Sequence, residues 1–259
     1  MTNDAALGSA AGLPDPAELL AGSDWGSLEH AYGAAEDTPK MLVALLDGDQ
    51  QVRARALDHL HHAVHHQNTL YSATVPAALY VAAVLADPRT TVAVDKKPHD
   101  FPGPLRSELL GWLNSVACAA DDETAATSRR LGFDPDDYPP SVDTRKIRPM
   151  LLSAVSECLD DPNPDVREAA IAACIPLLDD PRLRCHRATL VPLLRNVLGM
   201  SALWQYRERA IDALLAWGED PAGLEGQREA FAVCDAQDDP ILWATGPTFT
   251  SGDTSDLPF

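Results

Sequence analysis

A cluster of histidines is the part of this sequence whose residue types could do chemistry. The five are His59, His61, His62, His65 and His66. On a helix, two pairs of them are four residues apart, the spacing that lets two imidazoles hold one metal ion. No carboxylate or cysteine stands at a spacing that completes a zinc site, so we expect a solvated helix face with no metal and no cofactor. A metal-dependent enzyme or metal-binding protein using the span His59–His66 remains the alternative.

Recognisable catalytic motifs are missing from the rest of the chain. The sequence has no GxSxG, no phosphate-binding P-loop, no GxGxxG and no HExxH. Ser72 and Cys118 are possible nucleophiles, but neither has a base at a motif spacing. We therefore predict that the protein is not an enzyme and has no catalytic residues.

The charge of the chain is strongly negative. It has 39 acidic and 20 basic residues, which gives a formal net charge of -19. Such a surface repels nucleic acid and anionic membranes, because binding phosphate requires clustered lysine and arginine. It favours a basic protein partner, although solubility alone could also account for it.

The same composition bears on location. We find no secretory signal pattern near Met1, no apolar run of about 18 residues and no CxxC motif among the five cysteines. We therefore expect a cytoplasmic protein with reduced thiols, with Cys158 and Cys174 buried on helical apolar stripes.

A helical hairpin is predicted around Pro162 and Pro164. Apolar residues recur at helical spacing on both sides of this turn, which indicates two amphipathic helices. Neither proline can continue a helix, and Asn163 is placed to cap the second one. A similar second helix is predicted from about Gln51 to His66.

The hairpin recurs along the chain. An arginine opens each second helix, with apolar residues three, four and seven positions later, and an aspartate stands six residues before the first three arginines. These positions are Asp47 and Arg53, Asp100 and Arg106, Asp161 and Arg167, and finally Arg207. We expect these carboxylates and guanidinium groups to form hydrogen bonds between neighbouring hairpins.

The repeat resembles the HEAT type over about residues 38–217. The last two arginines are 40 residues apart, within the roughly 40–47-residue period of HEAT and armadillo repeats. The resemblance predicts an all-α fold, a right-handed solenoid of about four or five helical hairpins. We expect a disordered segment 1–15, the solenoid over 16–240 and a flexible tail 241–259. Segments 88–104 and 121–143 read as long inserted loops.

Several short motifs resemble one group of bacterial HEAT-like proteins that are often encoded beside polymorphic toxins. They are Trp25, Leu28–Gly33, Glu36–Pro39 and His66–Thr74. The resemblance implies an immunity-type role, in which the protein neutralises a toxin by binding it tightly. The same aromatic and polar residues could instead cap the solenoid or satisfy backbone groups in turns.

The predicted function is therefore protein binding, with a basic toxin domain as the partner. A nuclease is one such domain, because negative charge would both steer association and mimic nucleic acid. A scaffold in a larger assembly is a further alternative. The residues predicted to contact the partner are His62, His66, Gln67, Tyr71, Asp134, Asp136 and Asp137.

Overall fold

A computed structural model describes residues 12–94 and 103–224. Three predicted features lie outside the described residues: Asp100, the end of the solenoid (225–240) and the tail 241–259. So does most of the predicted N-terminal disordered segment. The rest of that segment leads directly into a helix, because the Asp15 carboxylate accepts a hydrogen bond from the main-chain N–H of Ala17 at 2.8 Å.

The described residues form α-helices with two very short β-hairpins. The helices are α1 (Pro16–Gly22), α2 (Thr38–Ala44), α3 (Gln50–His59), α4 (Thr74–Val84), α5 (Leu105–Cys118), α6 (Asp122–Arg130), α7 (Pro139–Ser156), α8 (Pro164–Leu177), α9 (Arg187–Asn196) and α10 (Trp204–Ala216). The antiparallel strand pairs are β1 (Glu29–His30) with β2 (Gly33–Ala34) and β3 (Ala93–Val94) with β4 (Gly103–Pro104). None of the described helices is both long enough and apolar enough to cross a membrane.

The helices stack as successive hairpins in two layers. The pairs α2/α3, α4/α5, α7/α8 and α9/α10 each form one hairpin. The first helices contact one another from α2 to α4 to α7, and the second helices from α5 to α8 to α10. The apolar core runs between the layers and includes the fully buried Trp112. The predicted all-α solenoid of helical hairpins is confirmed.

The third hairpin shows why the sequence turns where it does. The Asn163 side chain accepts a hydrogen bond from the Asp165 N–H at 2.9 Å, and Pro164 is the first residue of α8, where its missing N–H costs nothing. Cys158 and Cys174 are both buried, as predicted. Burial raises the pKa of the Cys174 thiol to about 12, so this thiol stays protonated.

The repeated arginines close the turns of their own hairpins. Arg53 Nη1 donates to the main-chain oxygen of Asp47 at 2.7 Å and to that of the following residue at 3.0 Å. Arg167 makes the same two bonds, at the same lengths, to Asp161 and its neighbour. Arg207 instead donates to the Gly199 carbonyl oxygen at 3.2 Å. These bonds satisfy carbonyl groups at the ends of the first helices.

The position six residues before the arginine links neighbouring hairpins. The Asp161 carboxylate accepts from Nη1 of Arg106, the arginine of the preceding hairpin, at 2.7 Å, and both side chains are largely buried. In the fourth hairpin the equivalent residue is Ser201, whose hydroxyl donates to Glu168 of α8 at 2.5 Å. Each of these bonds joins one repeat to the repeat before it.

The prediction that 121–143 is a long loop is wrong. The Asp121 carboxylate caps α6 by accepting from the Thr124 N–H at 2.7 Å, and Pro139 opens α7 instead of marking a loop. Acidic residues begin α6 and Arg129 lies in its last turn, which suits the helix dipole. Ala125 is its one buried residue, so the segment carries no apolar stripe for a sequence pattern to detect.

The predicted loop 88–104 contains regular structure in its described part. A 3-10 turn covers Pro88–Thr91, capped by the Asp87 carboxylate, which accepts from the Arg89 N–H at 2.8 Å. The strands β3 and β4 follow, with Ala93 opposite Pro104. Strands of two residues are too short to leave an alternating pattern in the sequence.

The ion pair between the second and third hairpins should contribute strongly to stability. We expect Arg106→Ala to lower the free energy of unfolding by about 3 kcal/mol, because it leaves the Asp161 carboxylate buried and unpaired. Urea denaturation measures this, with Arg55→Ala as the control, since exposed Arg55 should change stability by no more than about 0.5 kcal/mol. Equal effects of the two substitutions would contradict the assignment.

Candidate functional site

The end of α3 organises the region that contains most of the predicted site residues. The helix was predicted to reach His66, but regular α-helix stops at His59 and a π-helical turn covers Leu60–Val64. The carbonyl oxygen of Leu60 accepts from Trp112 Nε1 at 3.0 Å. That of Ala63 accepts from the Ala31 N–H at 3.0 Å.

The β1–β2 segment is fastened to the same helix end. The Thr74 hydroxyl donates to the Val64 carbonyl oxygen at 2.6 Å, while Ser72 Oγ accepts from the Glu29 N–H at 2.8 Å. Three motifs that are distant in sequence therefore meet here: the β1–β2 segment, the histidine-rich helix end and the turn 66–74.

The histidine side chains diverge from one another. His59 bonds to the Thr38 hydroxyl at 3.0 Å, and exposed His62 bonds to the main-chain oxygen of Asp58 at 2.9 Å. His65 is buried, with its ring edge-on to Trp112. His66 packs against the Tyr32 ring. Each of these four imidazoles thus has its own contact within the chain, and the π-helical turn changes the faces of the helix on which they lie.

A different group of possible metal ligands does come together. Among the described residues, ligand atoms of His30, Asp37 and His59 lie within 4.8 Å of one another. His30 Nε2 is 3.0 Å from one Asp37 carboxylate oxygen, and His59 Nδ1 is 4.0 Å from the other. The Asp37 side chain therefore faces the two imidazoles and makes no capping hydrogen bond to α2.

The protons in this group oppose metal binding. Nδ1 of His30 accepts a hydrogen bond from the Tyr32 N–H at 3.1 Å, so the proton of the neutral ring is on Nε2, which donates to Asp37. A metal on Nε2 would need Nδ1 to carry the proton and donate it. Only Asp37 and His59 then keep free lone pairs, fewer than the three protein ligands of a zinc site.

The turn after the histidines has an unusual backbone. Gln67 and Asn68 adopt positive φ angles of 50° and 59°, a left-handed conformation that is unfavourable for residues with a side chain. His65 fixes the turn, because its Nδ1 bonds to the Thr69 carbonyl oxygen at 3.0 Å and its Nε2 to Ser115 Oγ at 3.1 Å. Gln67, one of the predicted contact residues, is exposed at the tip.

The other predicted contact residues lie close to this turn. The Tyr138 hydroxyl donates to the Leu70 carbonyl oxygen, which places the loop between α6 and α7 beside the turn. Asp136 pairs with Arg145 at 2.6 Å and with Arg129 at 3.2 Å. The remaining predicted residues there are Tyr71, Asp134 and Asp137. The structure thus brings the residues predicted in the turn 66–74 close to those predicted in the loop between α6 and α7. His62 lies on a separate surface, which Tyr32 and Asp37 also line.

Neither possible nucleophile is activated. Ser72 Oγ accepts a main-chain hydrogen bond from Glu29, as described above. Burial raises the pKa of the Cys118 thiol, with only partial opposition from the positive charge of Arg209, so the unreactive protonated form is favoured.

Sequence reasoning missed a groove lined by the second helices α5, α8 and α10 and by the start of α6. Its volume is about 580 Å³, and Ile175, Ala213 and Trp217 supply apolar wall. Its carboxylates are Asp121, Asp122, Glu123, Asp179, Glu208 and Asp212. Glu208 and Asp212 are four residues apart and so lie on one face of α10, and this spacing is the signal in the sequence that could have indicated the groove.

The groove has a marked excess of negative charge. Arg209 is the basic residue in its lining, and its Nη1 donates to Asn114 Oδ1 at 2.7 Å. Burial raises the pKa of the Asp179 carboxyl, and the hydrogen bond that this carboxylate accepts from the Asp122 N–H at 3.0 Å partly opposes the rise. Burial also raises the pKa of Tyr206 to about 12, with Glu168 contributing. A cation in the groove would stabilise these carboxylates.

Comparison with known proteins supports the repeat assignment. The profile of one family, the HEAT repeat, matches residues 151–180, which cover the end of α7, the turn and α8. No curated protein and no solved structure matches the chain. The chain is HEAT-repeat-like, and HEAT repeats belong to protein-interaction modules.

The buried His65 should make stability depend on pH. Burial lowers the pKa of His65, so the unfolded chain takes up a proton more readily than the folded one. We expect full stability above the ordinary histidine pKa of about 6.5 and a loss as the pH falls through it. His65→Gln should reduce this slope in denaturation measured between about pH 7.5 and 5.5, whereas exposed His62→Gln should not. An unchanged slope in His65→Gln would refute the prediction.

Relieving the left-handed backbone should stabilise the protein. Gln67→Gly removes a steric cost of about 1–2 kcal/mol but increases the freedom of the unfolded chain, so we expect a net gain of up to about 1 kcal/mol. Thermal and urea unfolding measure it. Gln51→Gly, a matched change within α3, should instead destabilise by about 0.5–1 kcal/mol. Destabilisation by Gln67→Gly would mean that its side chain matters to folding.

Proposed function

We propose that this protein is a non-enzymatic binding module that neutralises a basic toxin domain, as an immunity protein does. The observation that carries the proposal is the acidic groove on the face of the second helices. Six carboxylates and one arginine line it, and that arginine is engaged with Asn114. Stacked repeats commonly bind partners through extended faces of this kind.

The electrostatics fit a partner with clustered lysine or arginine. Ion pairs inside the chain only partly neutralise the groove, since Asp179 lies 3.5 Å from Arg187 and Asp122 lies 3.8 Å from Arg184. Glu123 and Asp212 have no ion-pair partner among the described residues. A basic surface would supply the missing charge, and the net charge of -19 would speed its approach.

The resemblance to proteins encoded beside polymorphic toxins supplies the specific role. Its motifs meet at the end of α3, away from the groove lining, so the groove and the motifs support the proposal independently. The role requires the protein to be in the cytoplasm with the toxin domain. The contact residues predicted from the sequence stay predictions within this proposal.

Charge reversal in the groove should abolish protection. The test is co-expression of the protein with the C-terminal domain of a toxin encoded next to its gene, with cell survival as the readout. We expect the wild-type protein to rescue growth. Glu123→Lys combined with Asp212→Lys should fail to rescue and should weaken binding of the purified domain at least about 10-fold, because like charges then face each other.

The control variant also changes two carboxylates to lysine, so it has the same net charge as the groove variant, but both positions lie outside the groove. Glu18→Lys combined with Glu157→Lys changes two exposed carboxylates, one on α1 and one directly after α7. This control should rescue growth and bind within about 3-fold of the wild-type protein. The toxin role is lost if wild-type protein does not rescue, and the groove assignment is lost if both double variants behave alike.

A further inference from the structure

A second surface lies on the opposite edge of the α5–α6 segment, outside the acidic groove. It is a cleft of about 540 Å³ between the turn Asn68–Leu70 and the loop Gly132–Tyr138. Apolar wall comes from Leu70, Ala119 and Ala125, with Phe133 at the rim. No residue lines both this cleft and the groove, so the two sites have separate linings.

Large apolar side chains are concentrated beside the cleft. Leu131 is 70% exposed, Phe133 is 71% exposed and Tyr138 is 43% exposed. All three stand within eight consecutive residues. Single exposed apolar residues are ordinary, but a group around a concavity is typical of a protein-binding site.

The charge at the cleft has one sign. Its charged lining residues are Asp134 and Asp137, with no lysine or arginine among them. The Asp134 carboxylate forms a long ion pair on the surface, with its Oδ1 3.7 Å from Nε of Arg129. Asp137 has no ion-pair partner in the described part of the chain. The rim therefore carries one carboxylate paired with Arg129 and one, that of Asp137, without an ion-pair partner among the described residues.

The exposed side chains sit on a fixed backbone. Gly132, with a φ of 87°, ends α6, and the N–H of Phe133 donates to the Ser128 carbonyl oxygen at 2.9 Å. Arg145 donates to the Pro135 carbonyl oxygen at 3.2 Å. In such a helix end the residue after glycine usually packs back on the helix, yet Phe133 faces solvent. A loop whose backbone is already fixed loses less entropy when it binds a partner.

We propose that this cleft binds a basic segment of a partner protein, one that places an apolar side chain against Phe133 and Leu131 and a lysine or arginine beside Asp137. The apolar side chain provides the burial and the cation provides the charge that Asp137 lacks. A second copy of this chain fits poorly, because two such rims would bring four carboxylates together on molecules of net charge -19.

A peptide titration of the full-length protein tests the inference. The probe is a synthetic peptide with one phenylalanine flanked by two lysines on each side, and its twins carry alanine for phenylalanine or glutamate for lysine. We expect amide signals of Leu70, Gly132 and Phe133 to shift in NMR spectra, with a Kd below about 1 mM. Both twins should bind at least about 5-fold more weakly.

Substitutions at exposed positions keep the test independent of folding. Phe133→Ala and Leu131→Ala should each weaken binding at least about 5-fold, whereas Leu215→Ala, a matched exposed leucine on α10, should leave it unchanged. Equal binding of the glutamate twin, shifts confined to the acidic groove, or no binding would overturn the proposal. So would concentration-dependent dimers that Phe133→Ala abolishes, because the occupant would then be a second copy.

This inference rests on the protein-binding role proposed above, but its test uses no toxin domain. Toxin rescue without peptide binding would refute the cleft as a binding site and leave the immunity role supported. Peptide binding without toxin rescue would support the cleft as a site for basic segments and refute the immunity role.

Discussion

The structure depends on satisfying the carbonyl groups at the end of the first repeat. A helix leaves its last carbonyl oxygens without partners, and buried ones must find donors elsewhere. Here Leu60, Ala63 and Val64 obtain them from Trp112, Ala31 and Thr74. The second repeat, the β1–β2 segment and the start of α4 are thereby held against one helix end.

The same constraint accounts for the different contacts that the side chains of the histidine-rich segment make. The carbonyl groups of the π-helical turn meet those donors, and the imidazoles of the segment make separate contacts. His65 then becomes a structural residue, held between Thr69 and Ser115. Both ring nitrogens, which suggested metal binding in the sequence, bond to other residues of the chain, and the ring packs against Trp112.

The features that could be predicted from the sequence are those formed by residues close together in the chain. The repeat was predictable because Asn163, Pro164 and Arg167 act within a few residues of one another. The helix α6 was not, since Ala125 is its one buried residue and its capping by Asp121 resembles any polar loop. The acidic groove required three helices to meet, and no pattern within one helix shows which neighbour it will face.

The two proposed surfaces differ in the interaction on which they rely. Six carboxylates line the groove, and this concentration of negative charge favours rapid, salt-sensitive association. The cleft has few charges and exposed apolar side chains, which favours slow dissociation. Together they would suit a partner that must be captured quickly and released rarely.

The shallow burial of α6 has a consequence for how such a protein can change. Because Ala125 is its one buried residue, substitutions along the outer side of the segment leave the stacked hairpins intact. Leu131 and Phe133 lie at its exposed end, fixed in position by the glycine turn. A lineage could therefore acquire new binding preferences by mutation in this short insert, while the repeats continue to fold as before.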